Sequence, residues 1–258
     1  MSELLREKGR NVRSALIPLI STSLILWPLT GLGSPLKWGY APNDPAPYVA
    51  VESHQLGPSI TLSLGHAVAD RLGESVRFIP VPNNRIDDAL ANHHINVICN
   101  TLPDWVEQPD RYQWSRVIYE DADIIINRLD QPPIHDLDSL SGAIVGTTLG
   151  YYYAPELTSA FNSGQVIRHD ARNLPTRLNM LLHGRLDATI EFRRSAQYAI
   201  AQQGLDNLRL NNWVVEHFSL QCVVSHPDPS WSRQVAEAID SLIEDGTLLH
   251  LLQPFEDF

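Results

Sequence analysis

Side chains able to hold a small molecule fall in four places along this 258-residue chain. The first is Tyr48. Pro42, Pro45 and Pro47 remove three backbone donors just before it, so strand pairing stops and a stiff loop with Tyr48 at its tip must follow. In an open α/β sheet such a loop lies where ligands bind, and its aromatic would stack on one or cover it; an exposed loop tyrosine is the plainer reading. The second place is Asn100 and Thr101, with Trp105 in the same loop. They offer polar groups and an aromatic wall, although turn chemistry or a hinge core accounts for them equally well. The third is Gly150-Tyr151-Tyr152-Tyr153, where a strand ending in Gly opens a helix whose free N–H groups attract an anion. Tyr151 and Tyr152 are the expected site residues, with at least one tyrosine of the three used in packing. The fourth is Glu191, a carboxylate ending a strand, expected at a cleft mouth rather than deeply buried. Its replacement by Ala should then leave the unliganded protein's stability nearly unchanged.

This is the chemistry of recognition. The chain has no Gly-x-Ser-x-Gly, HExxH or phosphate loop, and no carboxylate pair at catalytic spacing. His93 and His94 are adjacent and cannot readily share one ion, so neither a metal nor another cofactor is expected. A formal charge of −11, with no basic run after Arg13, argues against nucleic acid as a partner.

The elements that must position these residues follow from periodicity. Leu36, Trp38 and Tyr40 alternate as a strand does. Residues 60–72 carry an apolar helical stripe ended by Gly73, 76–81 form a strand, a short helix carries Ile86, Ala89 and Leu90, and 95–99 form a buried strand. Residues 100–115 read as a loop and 117–127 as a long strand. From Ala143 the grammar repeats: strands at 143–147, 165–169 and 187–191, with helices after Gly150 and over 173–183 and 195–203. A strand over 214–225 and two helices close the chain. Such strand–helix order implies parallel strands with right-handed crossovers.

Residues 1–33 read as an export signal: Arg6, Lys8, Arg10 and Arg13, then apolar 15–29, then Gly31-Leu32-Gly33. A retained anchor is the alternative. Cys99 and Cys222 would then meet an oxidising compartment, where a bridge is possible; both also suit simple burial in apolar strands.

Taken in order, several strings resemble the extracellular solute-binding proteins of ABC transporters, family 3, the polar amino acid type. They are Leu36–Tyr40 followed by Pro47-Tyr48, residues 67–78 around Arg71-Leu72-Gly73, and residues 90–98, with Asn96 where Asp is usual. Trp114-Ser115 with Tyr119, residues 137–150, Gly184-Arg185-Leu186-Asp187-Ala188 and Asp245-Gly246-Thr247 complete the set. The resemblance implies a type II periplasmic binding fold. Two α/β lobes, each a mostly parallel sheet flanked by helices, would be joined by two crossing strands, with lobe 1 at 34–127 and 214–258 and lobe 2 at 128–213. It further implies a periplasmic monomer that closes over a small polar solute and hands it to a permease, touching the membrane only in export or in that handover. In such proteins the positions of Asn100 and Thr101 face a ligand amino group, the Gly150 turn holds a carboxylate, and an acid near Glu191 pairs with an ammonium. One position departs from the pattern: the Arg that clamps a carboxylate falls on Gln108, with Arg111 the nearest basic residue. The alternatives are a dehydratase-like enzyme using Glu191 or Asp104, and a stand-alone sensor.

Overall fold

A computed structural model describes residues 34–256; the expected export segment, residues 1–33, lies outside the described residues. The alternating apolar residues form β1 (Leu36–Tyr40). The proline loop and a small hairpin of β2 (Val51–Glu52) and β3 (Gln55–Leu56) follow. Ser59 caps α1 (Ile60–Leu72) by accepting the Leu62 N–H, and Gly73, at φ 67°, ends it in a left-handed turn that a side chain would strain. Gly65 lets this helix lie on the sheet, because a Cβ there would come within 2.5 Å of the Phe78 ring. Next come β4 (Val76–Pro80), α2 (Ile86–Ala91) and β5 (Val97–Thr101), and β1 pairs in parallel with both β4 and β5.

Residues 102–118 hold two single turns of 3-10 helix, at Pro103–Trp105 and Pro109–Arg111, and the short β6 (Gln113–Trp114). The ten-residue β7 (Tyr119–Arg128) then leaves the first sheet for the second. There β8 (Ile144–Thr148), α3 (Pro155–Ser163), β9 (Ile167–Ala171), α4 (Leu174–Leu182), β10 (Ala188–Phe192) and α5 (Arg193–Gln203) repeat the strand–helix order. Strand β11 (Leu208–Val224) spans seventeen residues and returns to the first sheet, where α6 (Pro229–Glu244) and α7 (Thr247–Leu252) pack.

The hydrogen-bonded order is β4-β1-β5-β11 on one side and β11-β7-β10-β8-β9 on the other. The two parallel sets are joined through β7 and β11, which run antiparallel to one another from Tyr119–Leu220 to Arg128–Leu208. Each set is packed on both faces. In the first, Trp38, Leu64, Val68, Val235 and Ile239 fill one face, and Leu90, Ile95, Val106 and Val223 the other. In the second, Ile124, Ile126, Leu178 and Ala196 lie opposite Ile125, Leu140, Leu157 and Ile190. The expected two-lobed type II fold with two crossing strands is therefore present.

Cys99 of β5 and Cys222 of β11 are bridged. Asn96 replaces the usual Asp without loss: it accepts the Lys37 N–H and donates to the Ser225 carbonyl, tying β1 to the end of β11. Three expectations shift. The strand expected from Val214 begins at Leu208, because its polar residues Arg209 and Asn211 are satisfied inside the hinge: Asn211 donates to the Ile125 carbonyl at 3.0 Å and Arg209 to that of Gln131 at 2.7 Å. Strand β5 runs through Asn100 and Thr101, which were expected beyond it. The helix expected at Gly150 starts only at Pro155, whose ring suits a first helical position but brings no N–H.

Candidate functional site

The junction of the lobes is built from five aromatic rings carried by five different elements. Tyr48 does not stand free at a loop tip. It is 1% exposed, stacked on Tyr119 with centroids 5.7 Å apart and edge-on to Phe192 at 5.8 Å. Trp105, in the first 3-10 turn, lies parallel to Phe192 at 6.3 Å and edge-on to Phe218 at 5.1 Å. Phe192 ends β10 in the second lobe and Phe218 sits on β11, 5.3 Å apart, so the rings join both lobes. The Tyr48 hydroxyl donates to Asp121, whose other oxygen accepts the Ala122 N–H at 2.7 Å. Arg194 lies 5.2 Å over the Tyr119 ring and pairs with Glu256.

The proline loop and the tyrosine triplet face each other, as expected. Tyr151 of the second lobe donates its hydroxyl to Asp44 of the first. Burial pushes Asp44 up to about 6, against hydrogen bonds from Tyr151 and Asn83 and with a further push from Glu191. Burial likewise raises Tyr151 and Tyr48 well above the usual phenol range, so both are donors at any ordinary pH. The other two tyrosines do not join this contact. Tyr152 is 82% exposed. Tyr153 packs on Phe161 and accepts the Thr148 N–H at 2.7 Å.

Glu191 is neither at a cleft mouth nor at the surface. Alternation along β10 turns it with Thr189 toward α4, where it is 5% exposed and pairs with the buried guanidinium of Arg177. Its other oxygen accepts the Phe192 N–H at 2.9 Å. Burial raises its pKa while Arg177 opposes the rise. Asn100 lies half-buried at the end of β5 with φ 58°, beside buried Thr101, which is paired with Gln221. Asp104 and Gln108 are exposed.

The residue that sequence reasoning missed is Asp123. On β7 it shares a face with Tyr119 and Asp121, and its cross-strand neighbours are Phe192 and Glu216. It is 5% exposed, and burial, then Glu191, Glu216 and Asp121, hold its carboxyl well above the usual range. The string Tyr119-Glu-Asp121-Ala-Asp123 carried the signal, since two acids at period two on a buried strand must share one face. Among the described residues no group of three or more His, Cys, Asp or Glu side chains is set to hold a metal.

Two lobes joined by two strands, with aromatic and acidic side chains at the junction, define the class of type II periplasmic binding folds. The chain is similar to an ancestral arginine-binding protein bound to arginine, at 18% identity and a TM-score of 0.72, covering 87% of this chain and 99% of that one. It is also similar to the GluR0 ligand-binding core from Nostoc punctiforme in complex with L-glutamate, at 17% and 0.69, over 87% of this chain and 100% of the other. A third likeness is to the ancestral amino acid-binding protein AncCDT-1, a precursor of cyclohexadienyl dehydratase, at 19% and 0.69, over 85% and 94%. None of the curated proteins compared with the chain matches it. The chain belongs to the bacterial extracellular solute-binding proteins, family 3, whose family model matches residues 36–256.

Proposed function

We propose that the protein captures a small polar solute, amino acid-like or related, between its lobes and presents it to an ABC transporter permease in the periplasm. In this reading it is a monomer exported by residues 1–33, with lobe 1 at 34–127 and 214–258 and lobe 2 at 128–213. The observation that carries the reading is the pair of contacts closing the junction: Tyr151 onto Asp44, and Phe192 among Tyr48, Trp105 and Phe218. A ligand that bridges both lobes selects such a closed arrangement over an open one. Tyr48, Trp105, Tyr151, Asn100 and Thr101 would line the site, Glu191 would support it through Arg177, and Tyr152 would lie at its rim. No helix among the described residues is long and apolar enough to cross a membrane. One of the similar structures is an amino acid ABC transporter's substrate-binding protein, which favours a permease partner.

A thermal-shift panel of amino acids, amines and small carboxylates tests the reading. A true ligand at a hundredfold its dissociation constant adds about 2.7 kcal/mol of stability. A panel in which nothing moves the melting temperature would remove solute capture as the function. A second reading, an enzyme on this fold, draws on Asp44, a cleft acid poised near 6, rather than on ion-paired Glu191 or exposed Asp104. Turnover of a prephenate-like acid that is lost in Asp44→Asn would favour it.

A further inference from the structure

We propose that the first lobe carries a second binding site, for a small oxyanion of the phosphate class, in the cavity of about 210 Å³ where the turn after α2, the 3-10 turn Pro109–Arg111 and the start of α6 meet. The site shares no lining residue with the lobe junction and stands apart from the solute-binding reading above.

His93, Arg111, His226 and Arg233 line this cavity, and no carboxylate does, in a chain of formal charge −11. Lys37 stands close behind and donates to the His93 carbonyl. Cationic groups brought together repel one another, and an anion set among them converts that repulsion into attraction. Two neighbouring acids face other partners. Asp228 accepts the Ser230 N–H at 2.9 Å and the Ser230 hydroxyl at 2.7 Å, and Asp87 accepts the Glu107 N–H at 2.8 Å. Arg233 has no ion pair among the described residues, while Arg111 spends one N–H on the Gln108 side chain at 3.3 Å.

Each of the two imidazoles is held by one nitrogen and free at the other. The Ser225 hydroxyl donates its one proton to the Leu90 carbonyl at 2.7 Å, so at 3.0 Å it accepts from the Nδ1–H of His93. The Asp228 N–H donates to Nδ1 of His226 at 3.1 Å, so that ring carries its proton on Nε2. Neither Nε2 has a partner among the described residues. His226 therefore offers a donor when neutral, and His93 offers one only once it is protonated. Burial, then His226, Lys37 and Arg111, lower the His93 pKa from its ordinary value, with Ser225 opposing. An anion beside the ring favours the protonated form. Ser232, 5% exposed, adds a hydroxyl without a partner among the described residues. Donors arriving from three segments match the several acceptor oxygens of a tetrahedral oxyanion, and bonds from guanidinium and imidazolium to such an ion are the strong, charge-assisted kind.

The test titrates inorganic phosphate, glycerol 3-phosphate and sulfate calorimetrically into the purified protein at pH 6. Sulfate is run in two buffers of different ionisation enthalpy; it takes up no proton itself at this pH, so any proton bound goes to the protein. The expected result is one saturable site that takes up a proton with sulfate and binds it several-fold more weakly at pH 8. Binding of either phosphate compound supports the site, and the tighter of the two names its source. Arg111→Gln with Arg233→Gln, both at exposed positions, should weaken every anion at least tenfold without lowering the ligand-free melting temperature. His93→Gln should abolish the proton uptake. Undiminished binding in the double arginine variant would overturn the inference by placing the anion elsewhere. So would the absence of saturable binding by all three compounds, or an equal response to chloride. Sulfate binding without proton uptake would overturn the part assigned to His93. Failure on any of these counts leaves solute capture standing, since the cavity and the junction have no residue in common.

Discussion

The two lobes hold their sides of the junction by different means. In the first, the sheet beneath the site is locked covalently by Cys99–Cys222 across β5 and β11, and the Tyr48–Asp121 hydrogen bond fixes the proline loop to β7. In the second, the corresponding strand end is held by a charge pair, Arg177–Glu191, buried on both partners. In the first lobe Asp121 anchors Tyr48 and Asp44 accepts from Tyr151 across the junction. The second lobe's acid is consumed in holding its own strand. The contrast separates Glu191, a carboxylate answered within the protein, from Asp123, one left unanswered a strand away.

The largest effect should come from breaking the second lobe's device. Glu191→Ala strands the Arg177 guanidinium in the interior and should lower unfolding free energy by about 3–5 kcal/mol, read by denaturant titration. Replacing both members, Glu191→Leu with Arg177→Met, should recover most of that loss, because neither charge is then buried alone. A single Glu191→Ala protein of unchanged stability would return Glu191 to the expected cleft mouth. Reducing the Cys99–Cys222 bridge should cost about 2–4 kcal/mol, since it closes a long loop. Denaturant curves with and without a thiol reductant check this. The loss should add to that of Glu191→Ala, the two devices sharing no partner.

The smallest effect lies where the lobes touch. Asp44 titrates near 6 in the folded protein and at its ordinary value, near 4, when unfolded, so the folded state holds the proton more tightly. Its contribution to stability is therefore full below about pH 4 and is lost as pH rises through about 6. The whole swing is no more than roughly 3 kcal/mol, discounted because the residue is partly open to solvent. Melting temperatures of the wild type and of Asp44→Asn from pH 4 to 7 should converge at the acid end and separate above pH 6. Parallel curves would show that the Tyr151–Asp44 contact does not report the titration.

Much of the fold was legible because its signals are local. The alternation of Leu36, Trp38 and Tyr40 and the stop at Gly73 need no distant partner. Errors cluster where polar residues are answered from far along the chain. The strand expected from Val214 starts at Leu208 because Asn211 meets Ile125 and Arg209 meets Gln131, both about eighty residues away. The candidate site divides in the same way. The facing of the proline loop and the tyrosine triplet was expected, whereas which tyrosine would cross to Asp44 was not. Three adjacent tyrosines look alike until the turn aims Tyr151 at the other lobe, Tyr152 at solvent and Tyr153 at Phe161.

By itself the sequence determined the two strand–helix halves and the proline-stiffened loop, both properties of residue type and short-range spacing. Tertiary structure alone decided that Cys99 meets Cys222, that Glu191 meets Arg177 and that Asp123 meets no donor. A carboxylate's role depends on which charge lies within a few ångströms, and for these acids the answer comes from other strands and helices.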